Sequence, residues 1–289
     1  MPDSAKTPVG TVVSLWRYPV KSMMGEELNA AEVTERGLLG DRAYALVDSS
    51  DGKVASAKNP KKWPGLFDFR AAFAAAPRAG ADMPSVRITM PDGALITSGH
   101  AELDESLSRT LNREVTFTGA GQGQGSASET APATPWTPQA EEYWPDMDGL
   151  DHRDTVTDFE LPEGTFFDCA PLHLLTTATL DRLRELYPQG RFEARRFRPN
   201  VVALPLENAP GFVEGEWIDR TVAIGEEVRL RITGPCPRCV MTTLAQGDLP
   251  KDPGILRAAA QHNHANIGVY ASVVAGGTIR RGDVITVSG

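Results

Sequence analysis

The sequence predicts an α+β protein, mostly β, built in two parts. Short β-branched and aromatic runs bounded by turn residues recur along the chain. Segments with helical periodicity are few. A stretch poor in large apolar residues divides the chain near its middle. The 289 residues suffice for one large or two ordinary domains.

The first part is expected over residues 8–118. TVVSLWRYPV is a strand that ends at Pro19. RAYALVDSSDGKV has the pattern of a hairpin around an Asp-Gly turn, and SVRITMPDGALITS repeats it around Pro91 to Gly93. AELDESLSRTLNREV spaces Leu103, Leu107 and Leu111 for one face of a helix. Residues 119–149 then read as a flexible connecting loop, because GAGQGQGSASETAPATPWTPQ is rich in Gly, Ser, Thr and Pro.

The second part is expected over 150–289. TTATLDRLRELYPQG is a helix with Leu180, Leu183 and Leu186 on one side and Pro188 and Gly190 as stops. FRPNVVALPL and EEVRLRITGPC read as strands, and DPGILRAAAQHN as a helix with an Asp-Pro start. NIGVYASVVAGGTIRRGDVITV reads as two strands around Gly276-Gly277. There is no βαβ alternation, no glycine-rich dinucleotide fingerprint and no repeat. Barrel-like sheets with a few helices fit this pattern.

Composition narrows the function. Hydrophobic residues make up 41% and charged residues 23%, as in globular proteins. A net charge of −9 argues against nucleic acid as a partner, because phosphate contacts need a basic surface. Any anion site must be a local basic pocket. Three cysteines make no disulfide framework. Neither a signal peptide nor a stretch of about 18 apolar residues is present, so the expectation is a cytoplasmic protein with no membrane anchor.

GPCPRC, residues 234–239, carries Cys236 and Cys239. On spacing alone the pair admits a dithiol redox role, half of a zinc site, a nucleophile that carries sulfur, or two packed thiols. The following VMTTLAQGD supports no thioredoxin-like helix. A zinc site would have to recruit Cys169 or scattered histidines such as His262 and His264. Basic residues form a second theme. Lys21 and Ser22 follow a strand-ending proline, Arg42 follows Gly40 and Asp41, and Arg191, Arg195, Arg196 and Arg198 crowd one segment. Arg198 and Asn200 flank Pro199 at the mouth of an apolar strand. Arginine suits bidentate phosphate contacts, so the set suggests a cradle for a phosphorylated ligand beside soft thiols.

The run VVSLWRYPVKSMMGEELNAAEVTERGLLGDRAYALVD resembles the N-terminal β-barrel domain that precedes MOSC domains. FFDCAPLHLLTTATLDRL, RRFRPNVVAL, GPCPRCVMTT and NIGVYASVVAGGTIRRGDVI, in that order, resemble the MOSC domain itself. The chain is similar to the mitochondrial amidoxime-reducing component and its bacterial counterparts, which carry molybdenum cofactor. The resemblance implies a molybdenum-cofactor (Mo-molybdopterin) oxidoreductase acting on small N-hydroxylated or related N-oxygenated compounds. It implies Cys239 as metal ligand and catalytic centre, with the neighbouring Arg238 expected to help keep that thiol ionised and Cys236 either supporting the site from behind or simply packed.

By the same resemblance, Lys21, Ser22, Arg42, Asp168, Cys169, Ala170, Arg198, Asn200, Pro237, Arg238 and Tyr270 contact the cofactor. Cys169 and Ala170 stand where the family carries Thr-Ser. The loop with Trp136 and Trp144 is a candidate rim of the substrate mouth. Pyridoxal phosphate binding is a further association of the family. Electrons are expected from a separate ferredoxin, flavoprotein or cytochrome-type protein. A sulfur (persulfide) carrier, or a cofactor-binding protein without turnover, is the alternative.

Overall fold

The computed structural model describes residues 7–120, 137–147, 154–207 and 209–288. The fold is α+β and mostly β. Its centre is a ring of strands. In spatial order these are Val201–Pro205, Leu172–Thr176, Asn266–Ala275, Val228–Pro237, Thr221–Ile224, Val284–Ser288 and Thr7–Arg17. Thr7–Arg17 also pairs antiparallel with Val201–Pro205, Leu15 opposite Val201, and this closes the ring. The N-terminal strand therefore completes a barrel whose other strands all come from the second half of the chain.

Alternation explains the barrel core. Val228, Leu230 and Ile232 on one strand and Ile285 and Val287 on another point inward and are buried with Val12, Leu15 and Leu174. One pair, Leu172–Thr176 with Val201–Pro205, is parallel. Its connection carries the helices Thr177–Leu186 and Ala194–Phe197, a crossover that the sequence pattern does not announce. These helices and the helix Gly254–Asn263 share a core of Leu180, Leu183, Phe192, Phe197, Ile255 and Ile267.

The rest of the first half forms smaller sheets. Tyr44–Asp48 pairs with Val115–Gly119, and Arg70–Phe73, Val86–Thr89 and Leu95–Thr97 form a meander. The Pro91–Gly93 hairpin is as expected, with Gly93 in the left-handed region. The helix Leu103–Leu111 buries Leu103 and Leu107. A second core holds Met23, Leu46, Trp63, Leu66, Phe69 and Leu107, and it also takes in Met241 from the cysteine turn.

Local expectations are refined at three places. The second arm of RAYALVDSSDGKV does fold back antiparallel, through the bridge Val47 to Val54 and the hydrogen bonds from Asp48 N–H to the Lys53 carbonyl and from Ala55 N–H to the Leu46 carbonyl, but Val54 also bridges Ala140 and the long ladder of the first arm lies at 115–119. Two strands do flank Gly276-Gly277, Asn266–Ala275 and Gly277–Arg280, with a third, Val284–Ser288, where one continuous strand was expected. Gly277–Arg280 pairs with Ala30–Thr34, and a Cβ on Gly276 would lie 2.6 Å from the Val33 carbonyl oxygen. These glycines permit a close strand approach rather than a turn. The segment read as a connecting loop contains the strand Gln139–Trp144, paired with Thr155–Glu160. Residues 121–136 and 148–153, with Trp136, lie outside the described residues.

Candidate active site

The cysteine turn begins where a strand is forced out of register. Val228–Pro237 shifts its pairing with Asn266–Ala275 at Ile232/Gly234 and again at Pro235/Pro237. Prolines cannot donate to a ladder, so GPCP bulges there, and bulges re-aim side chains. Pro235 and Pro237 face out while Cys236 is fully buried. Cys239 then opens a single 3-10 turn, Val240–Thr243, with its carbonyl oxygen accepting from the Thr242 N–H and hydroxyl.

This turn lines one cleft, which encloses about 690 Å³ including its open mouth. Every site residue expected from the sequence lines it: Lys21, Ser22, Arg42, then Asp168, Cys169, Ala170, then Arg198, Asn200, and finally Pro237, Arg238, Cys239 and Tyr270. Both halves of the chain thus supply its walls. Of these residues, Asn200 is already engaged by protein, accepting from the His173 N–H and donating to the Trp16 carbonyl. Ser56, Lys58, His173, Phe197, Cys236 and Met241 also line the cleft and are absent from the expected set.

Local backbone geometry aims the cations. Ser22, Arg42 and Arg198 all have positive φ, a conformation uncommon outside glycine that clusters at functional sites. Lys21 is 4% exposed, and its Nζ donates to the Phe166 carbonyl at 3.0 Å and to Asp168. Arg42 pairs with the buried Asp41. Lys58 Nζ lies 3.2 Å from Glu142 and 3.6 Å from Asp168. Glu142 belongs to the strand Gln139–Trp144, so that segment contacts the cleft wall indirectly, through Lys58.

Arg198 caps the helix Ala194–Phe197 and swings over the Tyr18 ring, 4.1 Å from its centroid. Its Nη1 donates to the Met23 carbonyl at 2.6 Å. Its Nη2 is buried and has no hydrogen-bond partner among the described residues. No carboxylate forms an ion pair with it among those residues. A buried charge left unpaired costs on the order of several kcal/mol, of which a cation–π contact recovers about 1–2 kcal/mol. The cleft is therefore short of one anionic group, and the shortage is localised at Arg198.

The electrostatics follow. Burial pulls Lys21 down to about 8, against the opposing pull of Asp168. Burial pushes Asp168 upward, but Lys21, Lys58 and Arg42 together hold it well below the carboxylate range. The two cysteines diverge. Burial pushes Cys239 up to about 11, opposed chiefly by Lys58. Burial also pushes on Cys236, yet Arg238 and His173, with a hydrogen bond from Tyr270, bring it below the usual thiol range.

Arg238 acts on both thiols: its charge draws Cys239 down, as expected, while its direct hydrogen bond goes to Cys236. Its Nη1 donates to Cys236 Sγ at 2.7 Å and its Nη2 to the Phe197 carbonyl at 2.9 Å. Arg238 thus serves Cys236, which is not a passively packed thiol. Sequence alone hides this, because residues two apart on a bulged strand do not follow the simple alternation.

No disulfide joins the cysteines. Among the described residues no group of three or more His, Cys, Asp or Glu is placed to hold a metal ion. A zinc site is thereby unsupported. A metal bound at Cys239 must bring most of its ligands with it, and a soft thiolate suits such a sulfur-rich centre. The unpartnered Arg198 Nη2 and the cationic wall fit a phosphate on the same ligand. Pyridoxal phosphate binding finds no such support, since both cleft lysines, Lys21 and Lys58, are tied to carboxylates. No helix among the described residues is long and apolar enough to cross a membrane.

A closed ring with a bulged cysteine turn and a cation-lined cleft at its mouth defines the class, and the family comparisons agree with it. The chain is a MOSC-domain protein with the N-terminal barrel domain of that family: "MOSC domain" matches residues 162–286 and "MOSC N-terminal beta barrel domain" matches residues 9–130. Among its relatives, mitochondrial amidoxime reducing component 2 of Macaca fascicularis is 26% identical over 253 residues, which cover 82% of this chain and 67% of the relative. Mitochondrial amidoxime-reducing component 1 of Homo sapiens is 22% identical over 253 residues, covering 82% and 66%. The chain thus spans about two thirds of the length of these relatives. The crystal structure of the YUAD protein from Bacillus subtilis covers 99% of this chain and 100% of its own, with a TM-score of 0.48 and 10% identity.

Proposed function

We propose that this chain is a molybdenum-cofactor oxidoreductase that reduces N-hydroxylated or related N-oxygenated small molecules, with electrons from a separate donor protein. For an N-hydroxy compound the balance is R–NHOH + 2 electrons + 2 protons → R–NH2 + water. The observation that carries the reading is the buried, unpartnered Arg198 Nη2 in the same cleft as the Cys239 thiol. Kinship to the amidoxime reducing components supports the substrate class.

Cys239 is the metal ligand in this reading. Binding a metal deprotonates a coordinating thiol outright, so its high resting value is no obstacle. Lys21, Arg42 and Arg198 neutralise the phosphate, and Ser22 lies beside them in the cleft wall. Asp168 fixes Lys21 and borders the pterin together with Cys169 and Ala170. Arg238 and Tyr270, both held by Cys236, form the wall next to the ligand with Pro237. The bound cofactor would supply the two-electron redox chemistry. The sulfur-carrier alternative fares worse, because a thiol pushed up to about 11 is a weak nucleophile at neutral pH.

The test is purification from a host that makes the cofactor, followed by molybdenum analysis and turnover with a reduced dye and a hydroxylamine. Near-stoichiometric metal and dye oxidation dependent on the hydroxylamine are expected. Metal-free protein bearing a persulfide, beside a control molybdoenzyme loaded in the same host, would refute the reading.

A pH dependence follows from Lys21. A bound phosphate favours the charged amine, so the anion holds tightly while Lys21 is protonated. Affinity should fall as pH rises through about 8, by up to about tenfold per unit. Sulfate binding to cofactor-free protein between pH 7 and 9.5 checks this without the proton that Cys239 would release to a metal, and a profile equally steep in Lys21→Met would assign the effect elsewhere.

A further inference from the structure

Arg196 is the largest fully buried side chain of the fold, at 0% exposure, and it faces no carboxylate partner among the described residues. Its guanidinium makes four hydrogen bonds, all to main-chain carbonyls. Nη1 donates to Thr242 at 3.1 Å and to Leu244 at 3.0 Å, Nη2 to Pro250 at 3.1 Å, and Nε to Arg191 at 3.2 Å. Three of these acceptors lie in the loop that follows Cys239. Thr242 in turn donates both its N–H and its hydroxyl to the Cys239 carbonyl. One residue therefore separates the arginine from the peptide of Cys239.

The contact is reciprocal. Gln246, also at 0% exposure, donates from Nε2 to the Arg196 carbonyl at 3.3 Å and to the Met241 carbonyl at 3.4 Å. Arg196 itself sits two residues before Arg198, in the helix Ala194–Phe197. The same short helix is held from the other side by Arg238, through the Phe197 carbonyl. Burying an arginine against backbone alone gains less than a packed apolar side chain would. What the fork does provide is fixed spacing between the one-turn helix Ala194–Phe197 and the turn and loop that follow Cys239.

We propose that Arg196, seconded by Gln246, is a positioning residue that sets the distance between the Cys239 thiol and the Arg198 guanidinium. This rests on the reading of Cys239 as metal ligand and Arg198 as phosphate contact. Neither residue touches the ligand. They act by making the cysteine turn and the Arg198 cap one rigid unit, much as outer-shell partners orient a metal ligand.

The test uses Arg196→Lys and, in case that variant does not fold, Gln246→Met, each in the full chain. In cofactor-free protein, the alkylation rate of Cys239 is read by mass spectrometry beside that of Cys169, with melting temperature as the check on folding. In protein from the loading host, molybdenum and pterin content and the Mo(V) electron paramagnetic resonance signal are read. The expected result is a Cys239 alkylation rate raised about tenfold with Cys169 unchanged, and a cofactor content lowered by about tenfold with an altered Mo(V) signal. Cys239 and Cys169 rates rising together with a lowered melting temperature would overturn the proposal, since that marks general loosening. Unchanged rates in a folded variant would overturn it equally. If the wild-type protein takes up no molybdenum, the alkylation arm still decides the positioning role, so its failure and that of the cofactor reading are told apart.

Discussion

Cys239→Ala is expected to reduce bound molybdenum to background and to lower reductase turnover by more than about a hundredfold, the upper end of what loss of an outer-shell partner costs at a metal site. The reason lies in the donor inventory. No cluster of His, Cys, Asp or Glu among the described residues can hold a metal by itself. Of the three thiols, Cys169 is exposed at the mouth and Cys236 is fully buried and occupied by Arg238. Cys239 is half-buried, lines the cleft and sits at the head of a turn that fixes its backbone. Cys169→Ala removes a thiol that borders the ligand without holding the metal, so its loss of metal should be small beside that of Cys239→Ala. Full metal content and turnover in Cys239→Ala would remove the ligand assignment and send the search to Cys236.

Arg198→Ala is expected to lower cofactor occupancy about tenfold or more, the range set by losing a hydrogen bond to a charged group. It carries a second signature that separates it from simple damage. In the cofactor-free protein Arg198 is a buried cation with a free Nη2, and burial already pulls it down to about 10. Removing it also removes an uncompensated charge, so the melting temperature of the cofactor-free variant should stay level or rise while occupancy falls. Arg198→Lys keeps a charge but loses the planar fork, and should recover occupancy only in part. A variant that melts early and still loads fully would show that Arg198 serves folding.

The cleft was legible in the sequence to an unusual degree, for two separable reasons. Lys21, Arg42 and Arg198 stand next to Pro19, Gly40 and Pro199, residues that mark where the chain turns, and the family motifs tied those turns together. Lys58 and His173 were not legible. Lys58 enters through a loop whose partner, Glu142, is far along the chain, and His173 sits in a wholly buried strand where its neighbours are apolar. Strand pairing was legible only in part where local turn chemistry gave the nearer and shorter of two partners. The Asp-Gly turn after Asp48 is real, with Gly52 at positive φ, but the strand it follows finds its ladder at Val115–Gly119. Local signals specify where a chain bends, and they do not specify which distant strand it meets.

The closure of the ring by Thr7–Arg17 has a consequence for how the protein is made. That strand is made before every other strand of the ring, and its neighbour Val284–Ser288 after them all. At ordinary elongation rates the two are separated by tens of seconds of synthesis. Until Val201–Pro205 is made, an apolar strand carrying Val12 and Leu15 has only the short strand Glu26–Leu28 to pair with, and its other edge waits for Val284–Ser288. The ring, and with it a cleft whose walls run from Lys21 to Tyr270, can close only once Val284–Ser288 has been made. A ligand that needs the whole cleft can be seated only after that strand is in place.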